Sequence, residues 1–341
     1  MNFAQYKIKT ILPVSSCRFK YFFNIAFYIN KMYNSYKNNI NSKKRKGFDV
    51  IMVEEYPHHI LKRLQNTMLE IYKDLYVVCK KYDISFFAYC GTLLGAVRHN
   101  GFIPWDDDMD LAMLREDYDR FIEYCVPELS DRYDWFTMAN TPGYVLEFGK
   151  LCKKGTEFVE ATDRDRIYTS GIFVDIFPLD RTFENPKQRD RIMVRARRWV
   201  QLGVLSQYKH PKLPQGLSGT KIRILNAACS AVHAVLNIAK NPQEKCRQNY
   251  LKTIKNIKDD AGTCYADFAQ ANFRHFYLMK DEIFPLHELK FEDTVIPVPA
   301  GYGKILQRNF GDYMKLPSVE ERHTHAAYYI DFGDETYKAS V

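Results

Sequence analysis

The chain has no run of about eighteen uninterrupted apolar residues, so its sequence offers no clear membrane-spanning helix. It has no Cys-x-x-Cys pair either. Its 8 cysteines stand singly, which argues against a zinc knuckle or a disulfide framework and favours a reducing, cytoplasmic compartment. The composition, 46% hydrophobic and 26% charged, excludes a disordered or fibrous chain. The 341 residues suffice for one large domain or two ordinary ones.

Acidic residues are absent from the N-terminal arm, which we define as residues 1–48. The arm carries ten Lys and Arg residues, so residues 49–341 hold the other 39 basic residues and all 41 acidic ones, a net charge of −2. A nucleic-acid-binding domain would carry its basic patch on the fold itself, which argues against nucleic acid as a partner. Basic charge mixed with aromatic residues suits the surface of an anionic membrane. Peripheral contact with the inner face of the cell membrane is one interpretation; a packed helix or a disordered extension is the other.

The spacing of apolar residues predicts a mixed α/β (α+β) fold. Helices are predicted over 57–82, 115–126, 189–205 and 221–238. Strands are predicted at 84–90, 106–113, 144–152, 156–160 and 172–177. The segments 296–299 and 310–314 are predicted to form loops and a short helix. The 221–238 helix has an apolar stripe that predicts packing against the fold rather than against a membrane or a partner: Ile224, Ala228, Ala231, Val235 and Ile238.

Four aspartates follow Trp105 within five residues, and the last of them, Asp110, runs directly into an apolar segment. Alternate side chains of a strand share a face, so Asp108 and Asp110 are expected to project together. A third carboxylate, Asp175, lies alone in another apolar segment, where burial is costly unless the group is paired or bound to metal. Neighbouring carboxylates stay ionised beside a cation, and oxygen ligands favour Mg²⁺ or Mn²⁺. The pattern predicts a divalent-metal site, with an acidic turn or a calcium loop as the alternative.

A phosphate-binding turn is predicted just upstream, where Gly91 and Thr92 follow one predicted strand and open a helical turn. Glycine lets backbone N–H groups approach a phosphate closely, and the start of a helix favours its negative charge. Together with the three acids, this turn describes a site for a nucleotide-linked phosphate. Arg98, Lys150 and Lys153 are candidate cations for the same phosphate.

These residues fall in blocks that resemble the signature blocks of the LicD family: Tyr89–Arg98 (YCGTLLGAVR), Gly101–Asp110 (GFIPWDDDMD) and Phe173–Asp180 (FVDIFPLD). Val298-Pro299 and then GDYMKLP, at 311–317, resemble its closing block. The resemblance covers about residues 57–325 and implies a nucleotidyltransferase-like mixed sheet flanked by helices, with a mainly helical C-terminal part. The implied organisation is the arm at 1–48 and a LicD-like catalytic domain at 49–341. Its core would cover about 57–185, and a helical and lid part about 186–341.

Carried over by position, the resemblance makes Gly91 and Thr92 the turn, Asp108 and Asp110 the metal-binding pair, and Asp175 the third catalytic acid. Thr92 stands where the wider superfamily usually has serine, and it still supplies a hydroxyl group.

The resemblance implies a phosphotransferase that moves phosphocholine, or a similar phospho-alcohol, from a CDP-activated donor to a sugar hydroxyl of a cell-surface glycan. Lipopolysaccharide, teichoic acid and capsule are the expected acceptor classes, CDP-choline is the expected donor, and fukutin-type relatives use CDP-ribitol. Aromatic rings commonly hold a quaternary ammonium group, and Trp105, beside the acids, is the first candidate. One alternative is a metal-dependent glycosyltransferase, which would release a nucleoside diphosphate rather than CMP. The other is a non-catalytic membrane-associated scaffold, which would have no reason to keep three costly carboxylates.

Overall fold

The structure, a computed structural model, describes residues 56–160, 168–211, 219–255, 257, 263–268, 275–318, 322, 324 and 327–339. The predicted N-terminal arm lies outside the described residues. Contacts divide the described chain into two compact units, one of residues 56–200 together with 244–339 and one of residues 201–243. The candidate site lies in the first of these units.

The first helix confirms the prediction made from apolar spacing, because α1 spans His58–Lys81. Leu64, Ile71 and Leu75 are completely buried, so the predicted apolar face packs into the core. The other helices are α2 (Cys90–His99), α3 (Arg115–Arg120), α4 (Val126–Leu129), α5 (Pro186–Gln207), α6 (Gly219–Leu236), α7 (Pro242–Lys255), α8 (Lys280–Ile283) and α9 (Tyr302–Phe310). A π-helical turn, Phe121–Cys125, joins α3 to α4.

A mixed sheet forms the centre of the first unit. Its strands are β1 (Phe87–Ala88), β2 (Asp110–Leu114), β3 (Tyr133–Phe136), β4 (Gly149–Lys153), β6 (Phe173–Thr182), β7 (Cys264–Ala266) and β8 (Tyr277–Met279). The order is β1-β2-β6-β4-β3, and β7 pairs with both β6 and β8. Only β2 and β6 are parallel among these pairs. The mixed α/β class predicted from sequence is therefore confirmed.

Strand β6 is buried along almost its whole length, as expected for a strand that has neighbours on both sides. It pairs with β4 over residues 173–176, with β2 over residues 175–179 and with β7 over residues 180–182. Side chains of α1 and the sheet form one large hydrophobic core. The start of β6 therefore lies in a rigid, water-poor part of the fold.

Two small sheets complete the described strands of this unit. Strands β9 (His287–Phe291) and β10 (Thr294–Val298) form a hairpin, and β5 (Glu157–Glu160), β11 (Ala327–Asp331) and β12 (Thr336–Lys338) form the other sheet. The prediction of a loop at 296–299 is wrong for Ile296 to Val298, because these residues pair with β9. Proline at position 297 weakens a strand signal in sequence, and it is tolerated here in a two-stranded hairpin.

The second unit, within the described part of residues 201–243, contains the end of α5 and helix α6. Leu202, Leu205, Cys229 and Val232 are its most buried apolar side chains. The prediction that the α6 stripe packs against the fold is wrong, because Ile224, Val235 and Ile238 are exposed. No helix among the residues that the structure describes is both long enough and apolar enough to cross a bilayer.

Candidate active site

Two acids and one lysine lie side by side at the centre of the mixed sheet. The register pairs Asp110 of β2 with Asp175 of β6, and Asp175 in turn with Lys150 of β4. Partners in register point to the same face of a sheet, so the three side chains form a row across three strands. All three are buried, with exposed fractions of 8% for Asp110, 6% for Asp175 and 6% for Lys150. We call them the acid–lysine row.

Lys150 forms a close ion pair with Asp175. Its Nζ atom donates to Oδ1 at 2.8 Å and to Oδ2 at 3.1 Å. The same ammonium group lies 3.2 Å from the centroid of the Phe173 ring and 5.6 Å from that of Phe148. The lysine is therefore held both by charge and by aromatic rings, which fixes its position in the sheet.

Burial raises the pKa of Asp175 to about 6, although the neighbouring Lys150 charge opposes the rise. The charge of Asp108 raises this pKa further. Asp108 is thus close enough to repel Asp175. The structure therefore brings together the three acids predicted from sequence, Asp108, Asp110 and Asp175. The strand argument for Asp108 was wrong in detail, because β2 begins at Asp110 and Asp108 lies in the preceding loop.

The predicted turn lies directly against the acids. The Thr92 hydroxyl accepts a hydrogen bond from the backbone N–H of Asp110 at 2.8 Å, and the backbone N–H of Tyr89 donates to the Asp110 carbonyl at 3.0 Å. A Cβ atom added to Gly91 would lie 2.9 Å from a carboxylate oxygen of Asp106. The Asp106 side chain lies so close to the start of α2 that position 91 has no room for a side chain, which explains why it is glycine. The Thr92 hydroxyl holds the backbone of Asp110, the first residue of β2.

Replacing Thr92 by valine is expected to lower the free energy of unfolding by about 1–3 kcal/mol, because the buried N–H of Asp110 loses its acceptor. Thr92→Ser keeps the hydroxyl and is expected to stay near the wild-type value. Chemical denaturation of both variants measures the difference. Thr67→Val is a matched control, since the Thr67 hydroxyl donates to the Arg63 carbonyl within α1. An equal loss of unfolding free energy in Thr92→Ser and Thr92→Val would show that the hydroxyl does not stabilise the fold.

The four clustered aspartates have different surroundings. Asp107 is 1% exposed and accepts a hydrogen bond of 2.7 Å from the Tyr56 hydroxyl, which itself accepts one from the backbone N–H of Ala327. Asp107 therefore fastens the acidic loop to the start of α1 and to β11. Asp106 faces the turn at Gly91, while Asp108 and Asp110 adjoin Asp175.

Arg98 and Trp105 have partners outside the acid–lysine row. The Arg98 guanidinium donates to the Tyr313 carbonyl at 2.8 Å, which ties α2 to the closing block. The Trp105 ring lies 6.3 Å from the His99 ring, and the Arg322 guanidinium lies 4.3 Å above it. Their predicted roles in binding phosphate and a quaternary ammonium group stay predictions.

Asp267 is a buried acid that the sequence interpretation missed. It follows β7, is 1% exposed, and its charge raises the pKa values of Tyr89 and Cys90 together with that of Asp110, after burial itself. Asp267 is therefore close to the turn that carries Gly91. A signal was present, since Asp267 stands alone in the run CYADF at 264–268, much as Asp175 stands alone in its own apolar segment.

The described residues contain no group of three His, Cys, Asp or Glu side chains arranged to hold a metal ion. The donor chemistry nevertheless fits a hard divalent cation, because the acids of β2, β6 and the preceding loop offer only carboxylate oxygens. Asp108 and Asp175 repel each other across the site, a repulsion that such a cation would relieve. The residues that would hold it are Asp108, Asp110 and Asp175.

Comparison with known proteins agrees with this geometry. Residues 83–202 match the family described as "LicD/FKTN/FKRP, nucleotidyltransferase domain". The chain is 30% identical over 272 residues to the lipopolysaccharide cholinephosphotransferase LicD of Haemophilus influenzae, covering 78% of this chain and 95% of that protein. The chain belongs to the LicD family. The resemblance inferred from the sequence blocks is thus confirmed, and the chain is a transferase of the LicD type.

Two uncharacterised rickettsial proteins are similar over a shorter stretch. The Rickettsia prowazekii protein is 28% identical over 118 residues, covering 33% of this chain and 40% of that protein. The Rickettsia typhi protein is 38% identical over 119 residues, covering 35% of this chain and 36% of that protein. The LicD domain match includes the whole acid–lysine row and the turn at Gly91, whereas Asp267 lies outside it.

Proposed function

We propose that this LicD-family protein transfers phosphocholine, or a similar phospho-alcohol, from a CDP-activated donor to a sugar hydroxyl of a cell-surface glycan. CDP-choline is the donor we expect, and lipopolysaccharide is the first acceptor to test, because the Haemophilus influenzae relative is named for both choline phosphate and lipopolysaccharide. The single observation that carries the proposal is the acid–lysine row of Asp110, Asp175 and Lys150 beside the turn at Gly91.

Phosphoryl transfer depends mainly on positioning and on charge neutralisation, and the site supplies groups for both. Asp108, Asp110 and Asp175 are the residues proposed to hold Mg²⁺ or Mn²⁺, which when bound would neutralise charge on the donor pyrophosphate. Backbone N–H groups at the start of α2, beside Gly91, are proposed to bind a phosphate of the donor. Lys150 holds Asp175 in position through hydrogen bonds of 2.8 and 3.1 Å.

The proposed step forms one bond and breaks one. The acceptor sugar oxygen bonds to the phosphorus that carries the alcohol, and the bond from that phosphorus to the CMP oxygen breaks. The sugar hydroxyl proton goes to a carboxylate oxygen of Asp175, and CMP leaves with the bonding electron pair. Asp175 is the acid assigned to this transfer because it adjoins both Asp108 and Asp110.

A panel of CDP-alcohols tests donor and reaction together. The protein is incubated with Mg²⁺, lipopolysaccharide and CDP-choline, CDP-ethanolamine, CDP-ribitol or CDP-glycerol, and CMP release is followed. We expect CMP from one donor well above the others, with loss of activity on chelation and recovery on adding Mg²⁺ or Mn²⁺. Release of a nucleoside diphosphate from nucleotide-sugars, with no CMP from any CDP-alcohol, would favour the glycosyltransferase alternative and overturn the proposal.

The cellular location forms a separate part of the proposal. A nucleotide-activated donor is a cytoplasmic metabolite class, and a lipid-linked glycan acceptor lies at a membrane surface. We place the protein in the cytoplasm, at the inner face of the cell membrane, with the basic aromatic arm at 1–48 as one contact.

A further inference from the structure

Helix α6 presents a row of exposed apolar side chains. Ile224, Val235 and Ile238 have exposed fractions of 64%, 41% and 83%. Residues 224 and 235 are eleven positions apart, about three helical turns, so they lie on the same face, and Ile238 continues that face into the turn after the helix. We call these three residues the α6 stripe.

The other side of α6 is the one that packs. Cys229 and Val232 are buried there. The imidazole Nδ1 of His233 lies 2.9 Å from the Leu205 carbonyl, and the Asn237 side-chain amide donates to the Ser206 carbonyl at 3.0 Å. These contacts fix the helix against the end of α5 and leave the α6 stripe facing outward.

The charge around the stripe has one sign. Residues 201–243, which form the unit that contains α6, include five Lys and Arg residues and no Asp or Glu. Lys221 and Arg223, both exposed, lie near the start of α6 on either side of the stripe. Long basic side chains in such positions reach toward anionic groups while their aliphatic parts cover apolar surface. The rest of the chain after the arm has an excess of acidic residues, so this segment is distinct in charge.

We propose that the α6 stripe and its flanking basic residues bind the surface of an anionic lipid bilayer. An exposed apolar face bordered by Lys and Arg, with no acidic residue, matches the interfacial region of a bilayer, where acyl chains lie beneath phosphate groups. The basic residues require an anionic partner, and a bilayer offers lipid phosphate groups directly beside the apolar layer that the α6 stripe would enter. This surface belongs to the described helix α6, and the proposal does not depend on the reaction proposed above.

Vesicle co-sedimentation of the full-length protein tests the surface. Vesicles of phosphatidylethanolamine with phosphatidylglycerol are compared with vesicles of phosphatidylcholine alone. We expect the triple variant Ile224→Glu, Val235→Glu, Ile238→Glu to bind the anionic vesicles roughly tenfold or more weakly than wild type. The variant Lys221→Glu, Arg223→Glu is expected to bind less well too, and most clearly at low salt. Val77→Glu is the matched control, since Val77 is 66% exposed on α1.

The outcomes distinguish a bilayer from a second copy of the chain as the occupant of the α6 stripe. Loss of binding in both α6 variants, with wild-type thermal stability and wild-type behaviour of Val77→Glu, would support the bilayer. Unchanged vesicle binding in the triple variant would overturn the proposal and assign any membrane affinity to the arm. Light scattering tests for a second copy. If wild type is a dimer and the triple variant is a monomer, with no change in vesicle binding, a second copy covers the α6 stripe. Transferase activity toward a water-soluble acceptor is expected to be unchanged, so failure here is distinct from failure of the proposed reaction.

Discussion

Asp110→Asn is expected to reduce the transfer rate by a factor of roughly 10²–10³ or more while leaving the fold intact. The substitution keeps the size of the side chain and removes its charge. Asp110 is the register partner of Asp175 and begins β2, so the variant loses one of the three carboxylates proposed to hold the divalent cation. The rate of CMP release from the preferred CDP-alcohol, with thermal unfolding of the same sample, measures both effects.

Asp134→Asn is the matched control for this variant. Asp134 lies in β3 of the same sheet, is exposed, and is 3.6 Å from Lys154. Asp134→Asn makes the same chemical change as Asp110→Asn, in the same sheet but away from the acid–lysine row. We therefore expect this control variant to have wild-type activity. Metal-dependent transfer at an undiminished rate by Asp110→Asn would show that the proposed donor set is wrong.

Lys150→Met is expected to lower the free energy of unfolding by about 3–5 kcal/mol, because it leaves the carboxylate of Asp175 buried without its partner. Methionine keeps the length and apolar contacts of the side chain, so the loss isolates the charge. Lys154→Met is the matched comparison, since the long ion pair of Lys154 with Asp134 is exposed, and it is expected to change stability by less than about 1 kcal/mol. Urea unfolding of both variants gives the difference.

A double-mutant cycle then tests the cause of this loss. Asp175→Asn in the Lys150→Met background removes the buried charge, and most of the lost stability is expected to return. Independent, additive losses from the two substitutions would mean that the short distance from Lys150 to Asp175 does not reflect a coupled pair. The cycle reports on stability alone, so it also separates damage to the fold from damage to catalysis in Asp175 variants.

Sequence patterns predicted the acids because a lone aspartate in an apolar strand is costly to bury and therefore conspicuous. That reasoning found Asp175, whereas Asp108 and Asp110 were predicted from the clustered aspartates that run into an apolar segment. The same reasoning would have found Asp267 had the short run at 264–268 been treated as a strand. It could not give the cross-strand partnership of Asp110 with Asp175, because register depends on contacts between segments 65 residues apart.

The contacts of the clustered aspartates also could not be predicted from the sequence. Asp107 and Asp108 have the same chemistry and adjoin each other in the chain. Only the fold shows that Asp107 accepts a hydrogen bond from Tyr56 while Asp108 raises the pKa of Asp175. The apolar spacing of α6 was predicted correctly as a helix, but a stripe that packs and a stripe that faces outward have the same period. Burial is decided by the neighbouring elements, which periodicity does not specify.

The most direct test of the proposed reaction follows the choline group itself. The protein is incubated with Mg²⁺, lipopolysaccharide and CDP-choline carrying a radioactive choline label, and both the labelled lipopolysaccharide and the free CMP are measured for wild type and for Asp175→Asn. We expect wild type to yield label in lipopolysaccharide and CMP in equal amounts, and the variant to yield neither above background. Equal incorporation by wild type and Asp175→Asn, or CMP release by wild type without any label in the glycan, would contradict the proposed reaction.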